Sequence, residues 1–334
     1  MAFERDSNKI VIAGASSLLG AELKSLLEES KFAGWDLRLV DEEVAAGTLT
    51  DAGGEPAVIR PVEEDSFHGA CMVFFTGSAE FTKTNLAAAR ETGGKVFDLS
   101  GGTAGQAEAL PWFPKIDLLF GREFSKEARL FMIPSASAVA VAGLALGLTN
   151  AGLKNLAVTC LESVSEAGRV GIDELESQTG QLLSFQSVGQ PVFDTQVAFN
   201  LLDRYGLGSR SKLEAIRERI RMETKACLDE RAAVPAIQVV HAPVFYGTVF
   251  SACAEFAADV DGERIVGACK EAGFSMNAPG ESGPSNVSVA GEKVIQLGNP
   301  EEDTSRPGVR WFWGAADNIR LPAANAVKLA EMIS

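Results

Sequence analysis

Short apolar runs alternate with helix-period segments through the first part of the chain. Lys9–Gly14 is apolar and ends on glycine, and Ala21–Leu27 follows with helical spacing. Trp35–Val40 and Ala70–Phe75 read as further strands, Glu80–Glu91 as a helix and Lys95–Leu99 as a strand. Near-continuous apolar strands separated by amphipathic helices predict an α/β, doubly wound, mostly parallel sheet of Rossmann type. Leu130–Ile133 is one more strand, leading into the small-residue helix Val139–Leu148.

From about Leu153 the pattern changes. Leu156–Glu162, Ala236–Val240 and the long run Ala242–Glu255 read as strands, with helices at Val170–Leu183 and Ser211–Leu228 between the first two. Asn277–Pro284 reads as a loop, Val287–Val289, Lys293–Leu297 and Val309–Gly314 as strands, and Ala323–Ile333 as a terminal helix. The charged positions Arg217, Glu218, Arg219, Arg221 and Glu223 are expected to form solvent-facing pairs along the second helix.

The turns carry the candidate chemistry. Gly14, Ser16, Ser17, Leu18 and Leu19 lie between a strand and a helix, where exposed amides suit a pyrophosphate. Ser17 stands where a middle glycine would let the backbone approach closely, so the glycine fingerprint is incomplete. Asp41, followed by Glu42 and Glu43, ends the second strand; an acid there binds an adenosine ribose hydroxyl and repels a 2′-phosphate. NAD is therefore expected over NADP if either binds; the alternative is a solvated acidic turn and no dinucleotide. Thr76–Gly77–Ser78 and Ser100–Gly101–Gly102 fall at carboxyl ends of strands, where such sheets take ligands. The turn Ile133–Pro134–Ser135–Ala136–Ser137–Ala138 has the strand-to-helix form that mounts nucleophiles, but the side chain at its centre is a methyl group.

Composition narrows the function classes. A formal charge of −15 opposes sequence-independent nucleic-acid binding. The most apolar window, Leu130–Leu148, is interrupted by Pro134 and falls short of a membrane span. The start lacks the pattern of a signal peptide, and five scattered cysteines without a CxxC pair suit free thiols in a reducing, cytoplasmic setting. Two histidines at no ligand spacing make a metal site an unfavoured reading.

Several segments, in order and at matching spacing, resemble the aspartate-semialdehyde dehydrogenase family: Val11–Gly20, Ser163–Leu175 with Gln178, Phe199–Leu202, Met222–Lys225, and Asp317–Arg320 before Ala323–Val327. The resemblance implies a dinucleotide-binding domain over 1–133 and 316–334, a central α/β dimerisation domain over 134–315, and a C-terminal helix returning to the first. It implies a homodimer, a small-molecule ligand, and a contribution of Asn318 to cofactor binding. The family reaction is an NADP-dependent reductive dephosphorylation of aspartyl phosphate through a cysteine thioester, with a histidine relaying the proton and arginines holding the anions.

Carried over by position, that chemistry is not retained. Ala136 occupies the nucleophile's place, Thr248 the histidine's, and Val240 (or His241, the alignment being ambiguous by one residue) that of the substrate arginine. Leu99–Thr103 corresponds to a phosphate-binding stretch without its arginine, and the chain most resembles the family's catalytically silent paralogues. The expectation is a binding, structural or regulatory dimer. The alternative is an NAD-dependent oxidoreductase without a covalent intermediate, with Glu162, Glu166, Tyr246 and His241 as acid–base candidates. A displaced thiol, Cys160 or Cys253, is a third route, though both lie in apolar strand patterns.

Overall fold

The computed structural model describes residues 8–42, 47, 49–52, 55–121, 125, 127–257, 260–278 and 280–334. Glu43, the last of the expected acidic turn, lies outside them. The chain divides into two compact units: Met1–Phe113, Glu123–Ser135 and Pro322–Ser334 form the first, and Pro114–Arg122 and Ala136–Leu321 the second.

The first unit is built on β1 (Lys9–Ala13), α1 (Leu18–Glu28), β2 (Asp36–Asp41), the hairpin β3 (Leu49–Ala52) and β4 (Glu55–Val58), β5 (Arg60–Pro61), β6 (Met72–Phe75), α2 (Ala79–Glu91), β7 (Lys95–Asp98), β8 (Leu110–Pro111) and β9 (Leu130–Met132). Seven strands form one sheet in the order β5-β2-β1-β6-β7-β9-β8, every pair parallel. β1 and β6 are buried along their whole length, which is why they read as apolar runs rather than alternations. Phe74, Phe97 and Phe131 are opposite one another on β6, β7 and β9 and stack with centroids 4.5 and 5.5 Å apart. Strand order reverses between β1 and β6, so the turns after these two strands flank the sheet's switch point.

The second unit contains α3 (Ile116–Phe120), α4 (Ala136–Thr149), β10 (Leu153–Glu162), a 3₁₀ turn (Val164–Ala167), α5 (Arg169–Leu183), α6 (Leu213–Leu228), β11 (Ala236–His241), β12 (Thr248–Phe256), α7 (Gly262–Glu271), β13 (Ser275–Met276), β14 (Gln296–Leu297), β15 (Glu301–Glu302) and β16 (Val309–Ala316). α8 (Arg320–Ile333) starts here and continues into the first unit's residues. Its sheet runs β11-β10-β12-β16-β14-β13, mixed in direction, with β15 on β16. α4 is apolar on all sides and buried from Ala136 to Leu148, the pattern of a helix surrounded by protein. Among the described residues no helix is long and apolar enough to cross a membrane.

Three expectations are corrected. The strand expected over Ala242–Glu255 begins only at Thr248, because Pro243 interrupts the run and Val244 and Phe245 use their carbonyls on the amides of Val164 and Ser165. Val287–Val289 is a turn, closed by the Val289 amide on the Ser285 carbonyl. On α6 the Glu218–Arg221 pair is exposed as expected, but Glu223 is buried and Arg219 turns toward it and toward Glu166.

One buried side chain organises the loop after α5. Gln178 donates to Glu174 Oε1 and to the carbonyls of Gly189 and Thr195, and its oxygen accepts the amides of Val197 and Ala198. Removing it leaves several buried backbone groups without partners, each costing about 1–3 kcal/mol. Gln178→Ala is therefore expected to lower stability by about 3–5 kcal/mol in urea unfolding. A loss under about 1 kcal/mol would show that water replaces the amide freely.

Candidate functional site

The first unit gathers its sequence-picked residues at the switch point. Gly14 has φ +93, and a Cβ on it would collide with the Gly77 backbone, so the turns after β1 and β6 come this close because position 14 has no side chain. Gly20 lets α1 close on β1: a Cβ there would stand 2.6 Å from the Gly14 carbonyl. Ser17 is the N-cap of α1, accepting the Gly20 amide at 2.9 Å and donating to the Thr76 carbonyl at 2.9 Å. Thr76, buried, donates to the Gly14 carbonyl at 2.9 Å. Leu18 and Leu19 open α1, where the first amides have no intrahelical partner.

Asp41 is buried and both its oxygens are engaged: Oδ2 accepts the Ser16 amide at 2.7 Å and Oδ1 the Glu42 amide at 2.8 Å. The carboxylate thus holds the glycine turn to the end of β2. Asp98 does the same for the next turn, a role the sequence reading missed. Its two oxygens accept the amides and hydroxyls of Ser100 and Thr103 at 2.6–2.8 Å.

The second unit holds a different cluster. Ala136 is the first residue of α4 and is buried. Its neighbour Ser137 donates to Glu162 Oε1, Thr248 donates to the same oxygen at 3.2 Å, and the two hydroxyls lie 3.0 Å apart. Glu162 ends β10 and is fully buried; burial, then the charge of Glu166, pushes its carboxyl up to about 7, against the pull of the Ser137, Arg219 and Thr248 contacts. Glu166 pairs with Arg219 at 2.8 Å, and Arg219 Nε stands 3.8 Å from Glu223. Burial opposes the Arg219 charge, but Glu166, Glu223 and Glu162 outweigh it and raise the pKa.

Asn318 belongs to this unit. Its Oδ1 accepts the Gly247 amide at 2.8 Å, and its Nδ2 donates to Ser165 Oγ at 2.9 Å and Glu166 Oε1 at 3.2 Å. His241 is opposite Glu162 on the neighbouring strand but is buried, with Nε2 at 3.1 Å from the Val197 carbonyl and Nδ1 at 3.3 Å from the Tyr205 hydroxyl. Burial lowers its pKa, against the opposing contact with the Val197 carbonyl. Val240 is half-buried beside it, and Tyr246 is exposed. Cys160 is buried behind Ser137; burial, then Glu162, keeps its thiol protonated. Cys253 falls on the opposite side of β12 from Thr248, with Trp311 opposite it on β16. Among the described residues no cluster could hold a metal ion.

Glu162, one of the acid–base candidates, carries a signal of its burial in the sequence. Leu156, Val158 and Cys160 are the buried alternate positions of β10, and the same period places Glu162 on the buried face.

A parallel nucleotide-type sheet with paired turns at its switch point, joined to a mixed sheet backed by a buried helix, defines a two-domain α/β protein of dehydrogenase architecture. Residues 9–116 match the semialdehyde dehydrogenase NAD-binding domain and residues 146–321 the semialdehyde dehydrogenase dimerisation domain. The chain belongs to the semialdehyde dehydrogenase family. It is 30% identical to the USG-1 protein homolog of Pseudomonas aeruginosa over 97% of both chains. It is 25% identical to aspartate-semialdehyde dehydrogenase 2 of Vibrio cholerae, again over 97% of both. The solved structure of a probable aspartate-semialdehyde dehydrogenase from Pseudomonas aeruginosa superposes with a TM-score of 0.84 at 27% identity, covering 97% of this chain and 98% of that one.

Proposed function

We propose that this chain is a semialdehyde dehydrogenase-family homodimer that does not perform the family's thioester chemistry and serves instead as a binding, structural or regulatory protein. The observation that carries this reading is the surroundings of Ala136. A methyl group begins α4, and the hydroxyls of Ser137 and Thr248 are bonded to each other and to Glu162. The family's thioester chemistry needs a cysteine thiolate, which neither the Ala136 methyl group nor these two hydroxyls can supply. Cys160, the thiol behind Ser137, is held protonated by burial, and threonine has no pKa near neutrality.

A dimer fits the match to a dimerisation domain and the exposure of Trp311 and Trp313 on β16, in register with Cys253 and Ser251 on β12. A second copy is the occupant that best fits this sheet face. In the first unit, the start of α1 at Leu18 and Leu19 suits a pyrophosphate, and Asp41, whose oxygens hold the Ser16 and Glu42 amides, disfavours the 2′-phosphate of NADP; NAD or no dinucleotide is the reading that remains. Five free cysteines fit a reducing, cytoplasmic setting.

Purified protein given L-aspartate semialdehyde, phosphate and either NAD or NADP is expected to form reduced cofactor no faster than the uncatalysed mixture. Steady turnover abolished by Ser135→Ala or Ser137→Ala would overturn the proposal. One observation favours a second reading, an NAD-dependent oxidoreductase without a covalent intermediate: Glu162, poised to gain or lose a proton at about 7, has the property of a general acid–base. Calorimetric titration with NAD separates the two, since an oxidoreductase of this kind must bind it.

A further inference from the structure

The contacts around Glu162 form a triangle of three oxygens. Glu162 Oε1 meets Ser137 Oγ on one edge and Thr248 Oγ1 on another at 3.2 Å, while the two hydroxyls meet on the third edge at 3.0 Å. The Ser137–Thr248 edge lies in the ordinary O–H···O range and the Thr248–Glu162 edge, at 3.2 Å, is a longer and weaker bond; each of the three edges needs a proton of its own. The two hydroxyls supply only two. If both donate to an ionised carboxylate, Ser137 and Thr248 face each other lone pair to lone pair. A proton on Glu162 Oε1 resolves this. Glu162 then donates to one hydroxyl, that hydroxyl to the other, and the last back to Oε1, so every oxygen gives and accepts once.

We propose that Glu162 carries the third proton of this ring, so that proton uptake latches the start of α4 to β10 and β12, and proton release opens the Ser137–Thr248 edge. The three residues are 25 and 86 positions apart in the chain, so the ring ties together elements that local structure does not. It lies directly beside Ala136 and gives the start of α4 two protonation-dependent states.

The groups facing Glu162 set the balance. α4 contributes the Ser137 hydroxyl and carries no ionisable residue, and β12 contributes Thr248, with Cys253 and Glu255 on its other side. β11 places His241, its pKa lowered by burial, in register with Glu162, its ring tied to Tyr205 and Val197. On β10 itself Cys160 is a buried thiol. Glu166 on the 3₁₀ turn disfavours the charge, and Arg219 on α6, shared with Glu166 and Glu223, favours it. Burial is the largest influence and also favours the neutral acid, in agreement with the proton count of the ring.

The sign of the pH dependence follows. A carboxyl whose folded pKa lies above its unfolded value stabilises the fold fully below the unfolded pKa, near 4.5, and loses that contribution as pH rises through about 7. The folded-to-unfolded ratio of the wild-type chain, divided by that of Glu162→Gln, is expected to fall on the order of a hundredfold between pH 4.5 and 8. Chemical unfolding of both proteins across this range reads the ratio directly. A ratio independent of pH would overturn the proposal. The wild-type chain, labelled with ¹³C at glutamate carboxyls, gives a second measurement that needs no variant to fold. One carboxyl is expected to titrate near 7, with its midpoint moved downward in Thr248→Val, which removes the second hydroxyl and with it the need for a third proton. Carboxyls that all titrate at ordinary values, or a midpoint unmoved or moved upward by Thr248→Val, would refute the ring.

Discussion

Arg219→Met should destabilise the chain by about 3–5 kcal/mol at neutral pH, and much of that loss should return on acidification. Arg219 is the cation shared by Glu166 at 2.8 Å and Glu223 at 3.8 Å, and it draws down the Glu162 carboxyl as well. Methionine keeps most of the stem's packing and removes the charge. Three carboxyl groups are then left in a buried setting with no cation. They can stay ionised and repel one another, or take up protons at a cost that grows with pH. Glu162, already raised, moves higher, so the stability it contributes is largely present at pH 5 and is lost as pH rises through its folded pKa. Set against a typical total of about 5–15 kcal/mol, the loss at pH 8 approaches unfolding. Arg219→Lys, which keeps the charge but not the planar fork, should fall between the two. Urea midpoints at pH 5 and pH 8 provide the measurement. Equal shifts at both pH values would mean that Arg219 acts by packing alone.

Arg219 also shows where sequence reading stopped. Its neighbours on α6 alternate in sign, and the plain reading of such a stretch is a solvated face. The buried residues of α6 nevertheless include Leu213, Ile220, Glu223, Thr224 and Cys227. Helical period therefore assigns Glu223 to the inner face, and Arg219 follows it at i−4. The parallel sheet was legible because strands buried on both faces, such as Met72–Phe75, leave unbroken apolar runs. α7 was not, since only Ile265 and Cys269 of its residues are buried and two glycines and four charged residues break up the apolar pattern. The hairpin of β3 and β4 left too short a pattern to register. Ala242–Val244 misled because an apolar run says nothing about where its carbonyls bond. The ring at Glu162 was out of reach for a deeper reason: its three oxygens come from residues whose proximity only the sheet register and the entry of α4 decide.

Ala136→Cys is the substitution with the largest expected change in chemistry, and that change should stop short of catalysis. A thiol at the first residue of a fourteen-residue helix lies at the positive end of the helix dipole, which favours thiolate by about 0.3–1 kcal/mol against the opposing burial of this position. Of the native thiols, Cys160, Cys227 and Cys269 are buried and raised by burial, whereas Cys71 and Cys253 are half-buried. An activated ester should therefore give a burst in Ala136→Cys that exceeds that of the wild type by up to one acyl group per chain. Turnover of the semialdehyde should remain at background. Groups that act as a unit are strongly non-additive, so restoring one member of a set recovers little of the rate. Thr248, bonded to Ser137 and Glu162, offers no base, and Val240 no charge to hold an anion. Thr248→His added to Ala136→Cys should not repair this, because position 248 is fully buried and an imidazole there must displace the Glu162 ring. Turnover by Ala136→Cys alone would mean that the methyl group was the sole missing part. A burst no larger than in the wild type would mean that the start of α4 is not a place where a nucleophile can act.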